Sequence, residues 1–248
     1  NVAISLRSQG KFTQAQAIQR QTLQLQETVL GKHHPDTLMR MMNLAILLRM
    51  QGKYAEAEAM HRQAVQLQET VLGKDHPDML RSMMALAISL DCQAKYAEAE
   101  AMQRQTLQLQ ETVLEKDHPD TLMSMMTLAM SLSGQGKYEE AEQMHRQTLQ
   151  LRESVFGNDH PDTLMSMMAL ATTLDCQDKY AEAEELYRQS LQLHKMVLGK
   201  DHPRTLASMM SLAISLSGQG KFEEAEEMHQ QTLQLRESVF GKDHPHTL

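Results

Sequence analysis

The chain has 248 residues, a formal net charge of −8, 23% charged residues and 41% hydrophobic residues. This composition is typical of a folded protein with a sizeable core, and the negative balance without a basic stripe argues against nucleic-acid binding. No apolar run approaches the ~20 residues that span a membrane, and no signal-peptide pattern opens the sequence. We therefore expect neither a nucleic-acid partner nor a membrane partner.

A strict period of 42 residues runs through the sequence. A fixed period of about 20–50 residues is the signature of a solenoid, in which each repeat stacks on its neighbours. We predict a single array over residues 1–248, with a first helix that is truncated at the N-terminus. The proline of the successive repeats is Pro35, Pro77, Pro119, Pro161, Pro203 and Pro245. The predicted repeats span about 1–35, 36–77, 78–119, 120–161, 162–203 and 204–248.

Each repeat is predicted to contain two helices joined by a tight turn at a residue such as Gly52. Gly73 should close the second helix, and Pro77 suits the first turn of the next helix. In the second repeat, the apolar face of the first helix consists of Leu38, Met41, Leu44, Ala45 and Leu48. The apolar face of the second helix consists of Tyr54, Ala57, Met60, Ala64, Leu67, Val71 and Leu72.

The run from Gly73 to Leu80, GKDHPDML, returns with small changes in every repeat and permits two interpretations. An imidazole beside carboxylates could form a metal site or an acid–base site. Metal sites need several convergent ligands, however, and this histidine has no partner histidine at a ligand spacing within its own loop, except at the two ends of the chain. We favour a structural role, in which Pro77 opens a helix and Asp78 stabilises the positive end of its dipole.

The Leu44–Ala45 pair, Leu48, the Gly52–Tyr54 turn and Ala57 resemble the tetratricopeptide repeat. The period and the HPDTL linker resemble more specifically the kinesin-light-chain type of this repeat, which also forms C-terminal arrays in fungal STAND (NLR-like) proteins. The resemblance covers the whole chain. It implies an all-α fold, a right-handed superhelical solenoid of antiparallel helix pairs. In such a fold the first helix of each pair lines a concave groove that binds peptides or protein partners without catalysis.

The resemblance also implies which residues line this groove. Methionine is unbranched and polarizable, so a Met-rich surface can adapt to many apolar partners. The alternative is that neighbouring first helices pack on one another and bury much of this stripe. The predicted groove residues are Met39, Met42, Asn43, Ile46, Arg49, Arg81, Met84, Ile88, Met123, Met126, Met130, Met165, Met168, Met210 and Ile214.

Two columns of the predicted groove vary along the array. Repeats of the kinesin-light-chain type often carry an asparagine before the Leu–Ala pair, which binds the main chain of a peptide. Only Asn1 and Asn43 match it here, so main-chain binding is in doubt over most of the groove. The second column either sets the direction of a bound segment, with the acidic part of that segment near Arg49, or forms a solvated rim. It reads Arg7, Arg49, Asp91, Ser133, Asp175 and Ser217.

One column of the second helices carries polar residues where the family usually has an aromatic one. We expect these side chains to be partly buried and hydrogen-bonded. If the histidines are buried and neutral, acid should weaken the fold below about pH 6. The column reads Gln19, His61, Gln103, His145, Tyr187 and His229.

The sequence predicts a non-catalytic protein-interaction scaffold with no cofactor and no metal. The alternative is a structural self-assembler whose uncapped terminal repeats stack end to end. No phosphate-binding loop, nucleophile elbow or neighbouring Cys–His pair supports an enzyme. Cys92 and Cys176 occupy equivalent positions two repeats apart, too far to be bridged, so we expect reduced thiols and a cytoplasmic protein.

Overall fold

The computed structural model describes residues 12–241, and this part of the chain is helical without any strand. The all-α prediction is therefore confirmed. The truncated first helix, Pro245 and the terminal surfaces on which end-to-end stacking was predicted lie outside the described residues. The helices are α1 Phe12–Val29, α2 Pro35–Met50, α3 Tyr54–Leu72, α4 Pro77–Asp91, α5 Tyr96–Val113, α6 Pro119–Gly134, α7 Tyr138–Phe156, α8 Pro161–Asp175, α9 Tyr180–Leu198, α10 Pro203–Gly218 and α11 Phe222–Phe240.

The even-numbered helices are the first helices of the pairs, and each begins at the repeated proline as predicted. Proline suits this position because an N–H in the first turn would have no acceptor inside the helix, so the absence of that N–H costs nothing. In α4 the ring of His76 caps the helix, since its Nδ1 accepts a hydrogen bond from the backbone N–H of Asp78 at 3.1 Å. His34, His118, His160 and His202 make the same bond. The repeated histidine is thus an N-cap.

Glycines end the helices where the chain reverses. Gly73 follows α3 with φ at +85°, and Gly52 forms the turn between α2 and α3 with φ at +74°. Only glycine adopts positive φ without a steric penalty, so both predicted turns are confirmed. The backbone N–H of Lys53 donates to the carbonyl of Leu48 at 3.0 Å and completes the second of these turns.

The chain falls into two compact units that divide between Ser131 and Leu132. Within each unit, a second helix packs against the first helix of its own pair and against the first helix of the next pair. The predicted face of α2 is buried over its whole length, and Ala57 and Ala64 of α3 are buried beside it. Tyr54 and Val71, at the ends of α3, are exposed, so the apolar face of α3 is shorter than predicted.

The polar column of the second helices is buried at every described position except His229, which is half-buried, so most members are more deeply buried than predicted. His61 is fully buried, with Nδ1 3.0 Å from the hydroxyl oxygen of Ser89, and Gln103 donates to Asp91 at 2.9 Å. Burial, with a contribution from Arg49, lowers the pKa of His61 to about 4. His61 and Gln103 therefore connect their second helices to α4 inside the first unit.

Candidate functional site

The predicted groove residues of the first helices divide by exposure. The position four residues after the repeated proline is exposed in each of these five helices, and three of its occupants are methionines. Asn43, Met130 and Ile214 are also exposed, whereas Met42 and Met168 are half-buried. We refer to the exposed side of α2, α4, α6, α8 and α10 as the first-helix face. The exposed position is occupied by Met39, Arg81, Met123, Met165 and Ala207. The remaining half-buried residues of the predicted groove are Ile46, Arg49, Ile88 and Met210.

Two of the predicted groove residues are core residues. Met84 is 6% exposed and Met126 is 4% exposed, so neither presents an accessible surface to a partner. The first helices α2 and α4 contact each other, which accounts for the burial of a side chain such as Met84 that lies between neighbouring repeats. For these two residues, the structure agrees with the alternative that neighbouring first helices pack on one another and bury the stripe.

A cavity of about 510 Å³ opens on the first-helix face of the first unit. It brings together five predicted groove residues from α2 and α4: Met39, Met42, Asn43, Ile46 and Arg81. The wall between these helices is supplied by the end of α3. Gln68 and Leu72 belong to this wall, and neither was predicted as a site residue, because no sequence pattern marks a second-helix position as part of the groove.

The charged rim of this cavity is balanced. Arg81 lies 2.8 Å from a carboxylate oxygen of Asp78 and 3.5 Å from one of Asp120. The hydroxyl of Ser82 donates to the backbone carbonyl of Asp78 at 2.9 Å. Because Asp78 and Arg81, the charged residues that line the cavity, offset each other, the cavity offers a ligand an apolar wall and carboxamides rather than a net charge.

The second unit carries a cavity of about 190 Å³ at the corresponding positions. Met165 and Met168 line it in the places of Met39 and Met42, while Arg204 replaces the acidic Asp78. His194 forms the inner wall, and burial lowers its pKa. The two cavities therefore share an apolar wall and differ in charge.

In the predicted groove column that contains Arg49, the aspartates of later repeats pack against neighbouring helices. Asp91 accepts a hydrogen bond from Ser131 at 2.9 Å, and Asp175 accepts one from Ser215 at 2.8 Å. Burial raises the pKa of both aspartates, and these hydrogen bonds oppose the increase. The acidic members of this column thus connect neighbouring first helices.

The described part of the chain offers few side chains for metal binding or redox chemistry. Residues 12–241 contain no cluster of three or more His, Cys, Asp or Glu side chains that could hold a metal ion. Cys92 and Cys176 are free and exposed, and each follows the last turn of a first helix. In the same range, no helix combines the length and apolar character needed to cross a membrane.

The family profile of the tetratricopeptide repeat matches residues 1–70, 40–112, 95–154, 120–196, 176–238 and 205–248. The chain belongs to the tetratricopeptide repeat family. No protein among the curated sequences compared with this tetratricopeptide-repeat chain matches it significantly.

Solved structures agree with this assignment. A Podosopora anserina protein described as a kinesin light chain, with nearly identical TPR-like repeats, is 28% identical, with a TM-score of 0.74 over 83% of this chain and 97% of that one. BtubC (BKLC) from P. vanneervenii is 18% identical, with a TM-score of 0.78 over 94% of each chain. A Pyrococcus horikoshii STAND protein with a tetratricopeptide repeat sensor is 14% identical, with a TM-score of 0.70 over 99% of this chain and 36% of that one.

Proposed function

We propose that this tetratricopeptide-repeat chain is a non-catalytic scaffold that binds a segment of a partner protein on its first-helix face. The observation that carries the proposal is the exposed position four residues after each proline, where three of five repeats place a methionine. Met39 is 61% exposed, although it lies on a helix whose opposite side is fully packed. Burial of such side chains by a partner would be favourable.

The chemistry of this face suits a range of apolar side chains. Methionine fills irregular gaps because its unbranched side chain has several rotatable bonds, and it is over-represented on surfaces that accept different partners. The cavities in both units are open to solvent beside Met39 and Met165 and could take one side chain of a bound segment each. Each unit thus offers one apolar anchoring point of its own.

The comparisons support the same class of function. The structurally similar Pyrococcus horikoshii protein is described as a STAND protein with a tetratricopeptide repeat sensor, and we propose a comparable sensing or docking role for this chain. The free thiols of Cys92 and Cys176 favour a reducing compartment such as the cytoplasm.

Selection of peptides from a random display library tests this function. The chain and its Met39→Glu/Met165→Glu variant are selected in parallel, with circular dichroism to verify folding. Both substitutions lie on exposed positions, and Arg81 at the equivalent position already carries a charge. A matched control is Val29→Glu/Val197→Glu, which places the same charges at exposed apolar positions of second helices.

We expect peptides that bind the parent and the control but not the Met39→Glu/Met165→Glu variant. Absence of enrichment against the folded parent would contradict the proposal. Equal loss of binding in the two variants would also contradict it, because a general charge effect would then explain the result.

A further inference from the structure

Gln68 of α3 is a buried polar side chain on the wall of the cavity in the first unit. It is 5% exposed, its Oε1 has no hydrogen-bond partner in residues 12–241, and it lines the cavity of the first unit. Buried polar groups are nearly always paired, because leaving one unpaired is costly. A buried carboxamide oxygen without a partner on a cavity wall therefore indicates a ligand that donates a hydrogen bond to it.

The equivalent glutamine one repeat earlier shows how this position is satisfied elsewhere. Oε1 of Gln26 accepts a hydrogen bond from Nε of Arg40 at 3.3 Å. The residue that corresponds to Arg40 in the next repeat is Ser82, whose hydroxyl donates to the backbone of Asp78 instead. Replacement of a long cation by a short hydroxyl both opens the cavity and leaves Gln68 without a partner.

The rest of the cavity limits what its occupant can be. Met42, Ile46 and Leu72 form an apolar wall beside the carboxamide, and Asn43 adds a second carboxamide nearer to solvent. Since Asp78 and Arg81 form an ion pair on the rim, the cavity does not select a charged group. A main-chain amide with an aliphatic side chain has both the hydrogen-bonding capacity and the apolar surface that these walls complement.

We propose that this cavity binds an extended peptide segment, with Gln68 pairing a main-chain amide of the segment while its aliphatic side chain lies against Met42, Ile46 and Leu72. This inference rests on the proposed function and assigns Gln68, a residue of a second helix, a direct binding role. It places main-chain recognition in the first unit. In the second unit, Nδ1 of His194 lies 3.0 Å from the hydroxyl of Ser208, so that side chain already has a partner.

The smallest probe with the required groups is N-acetyl-leucine N-methylamide, which contains two amides and one aliphatic side chain. It is titrated into the isotopically labelled full chain, and the side-chain amide of Gln68 and the methyl group of Met42 are followed by NMR. N-acetyl-leucine methyl ester is the control probe, because it keeps the side chain and loses one N–H donor. We expect saturable shifts at Gln68 and Met42, with millimolar affinity for the amide and weaker affinity for the ester.

Three variants locate the binding. Gln68→Leu removes the carboxamide at nearly constant volume and should weaken binding of the amide probe about tenfold, to the level of the ester. Ser82→Arg reproduces the Arg40 arrangement and should abolish binding by both pairing Gln68 and filling the cavity. Gln110→Leu is the matched control, since Gln110 is equally buried, also lacks a partner for Oε1, and does not line this cavity.

The outcomes separate this inference from the proposed function. If the Gln68 amide does not respond to the amide probe while display peptides still bind the first-helix face, the cavity holds water alone and this inference is overturned. If Gln68→Leu and Gln110→Leu weaken binding of the amide probe equally, Gln68 has no specific role in that binding. Binding of the probe without enrichment of any peptide would instead overturn the proposed function and leave the role of Gln68 supported.

Discussion

Nζ of Lys95 lies 2.6 Å from Oε2 of Glu58 and joins the start of one second helix to the preceding second helix. Burial raises the pKa of Glu58, but hydrogen bonds from Lys95, Gln93 and Arg62 outweigh it and lower the pKa to about 2. The carboxylate is therefore charged in the folded protein and fully paired. The same pair recurs, also at 2.6 Å, as Lys179–Glu142 and Lys221–Glu184.

Glu58→Ala should lower the free energy of unfolding by about 1–3 kcal/mol, because the partly buried amide and ammonium groups around Glu58 lose their acceptor. Urea denaturation at neutral pH measures this loss. The folded pKa lies below the ordinary value of 4.5, so the contribution is present above pH 4.5 and is lost as the pH falls towards 2. Glu98→Ala is the control, since Glu98 also pairs with Arg62 but is half exposed and should contribute less than about 1 kcal/mol. Equal losses in the two variants would contradict the special role of Glu58.

The repeat period made most of the fold predictable. Proline and glycine fix the helix ends through φ, so Pro77 and Gly73 marked the ends of helices before any packing was known. The apolar face of α2 followed from helical spacing alone. The cap formed by His76 was missed because histidine is not among the usual capping residues, although its place before a proline and an aspartate was visible.

The candidate site was less predictable, because exposure depends on neighbours that periodicity does not describe. Met42, Met84 and Met126 occupy the same column, yet the first is half-buried and the other two are in the core. Gln68 lies on a helix face that reads as polar, and its lack of a partner depends on a substitution 14 residues farther along the chain. Such pairings between helices cannot be read from one helix at a time.

The buried histidines should make stability depend on pH. Burial lowers the pKa of His61 and His145 from 6.5 to about 4 in the folded protein, with contributions from Arg49 and Arg152 respectively. The unfolded chain takes up a proton near pH 6.5 and the folded chain does not, so stability is complete above that pH and falls as the pH drops towards 4. At pH 5.5 each of these two histidines should lower the free energy of unfolding by about 1 kcal/mol.

Thermal unfolding at pH 7.5 and pH 5.5 measures this dependence. His61→Gln/His145→Gln should reduce it, because Gln103 shows that the same column accepts a buried glutamine. The glutamates that pair with lysines remain ionised at both pH values and do not obscure the comparison. Equal midpoints for the parent at the two pH values would refute the prediction.

One helix end carries a residue that its conformation disfavours. Glu115 has φ at +75° at the position where the other repeats have glycine with φ between +85° and +89°, as at Gly73. Glu115→Gly should therefore raise the free energy of unfolding by about 1 kcal/mol in urea denaturation. Glu115→Gln separates the loss of charge from the change of backbone and should have little effect. Conversely, Gly73→Ala should destabilise by about 1 kcal/mol through the backbone alone, since an added Cβ would contact nothing within 4 Å. A neutral Glu115→Gly would contradict this explanation.

Met126 and Met130 lie one helical turn apart in α6 and separate packing from recognition. Met126 is 4% exposed and Met130 is 55% exposed. Met126→Ala should cost about 2–5 kcal/mol of unfolding free energy because it leaves a cavity in the core, whereas Met130→Ala should change it by less than about 0.5 kcal/mol. Urea denaturation of the two variants gives both values. Similar costs at the two positions would mean that Met130 is also packed, and the surface proposed for a partner would then be smaller. If the costs differ as expected, a loss of peptide binding in Met130→Ala can be assigned to the first-helix face, because the fold is unchanged.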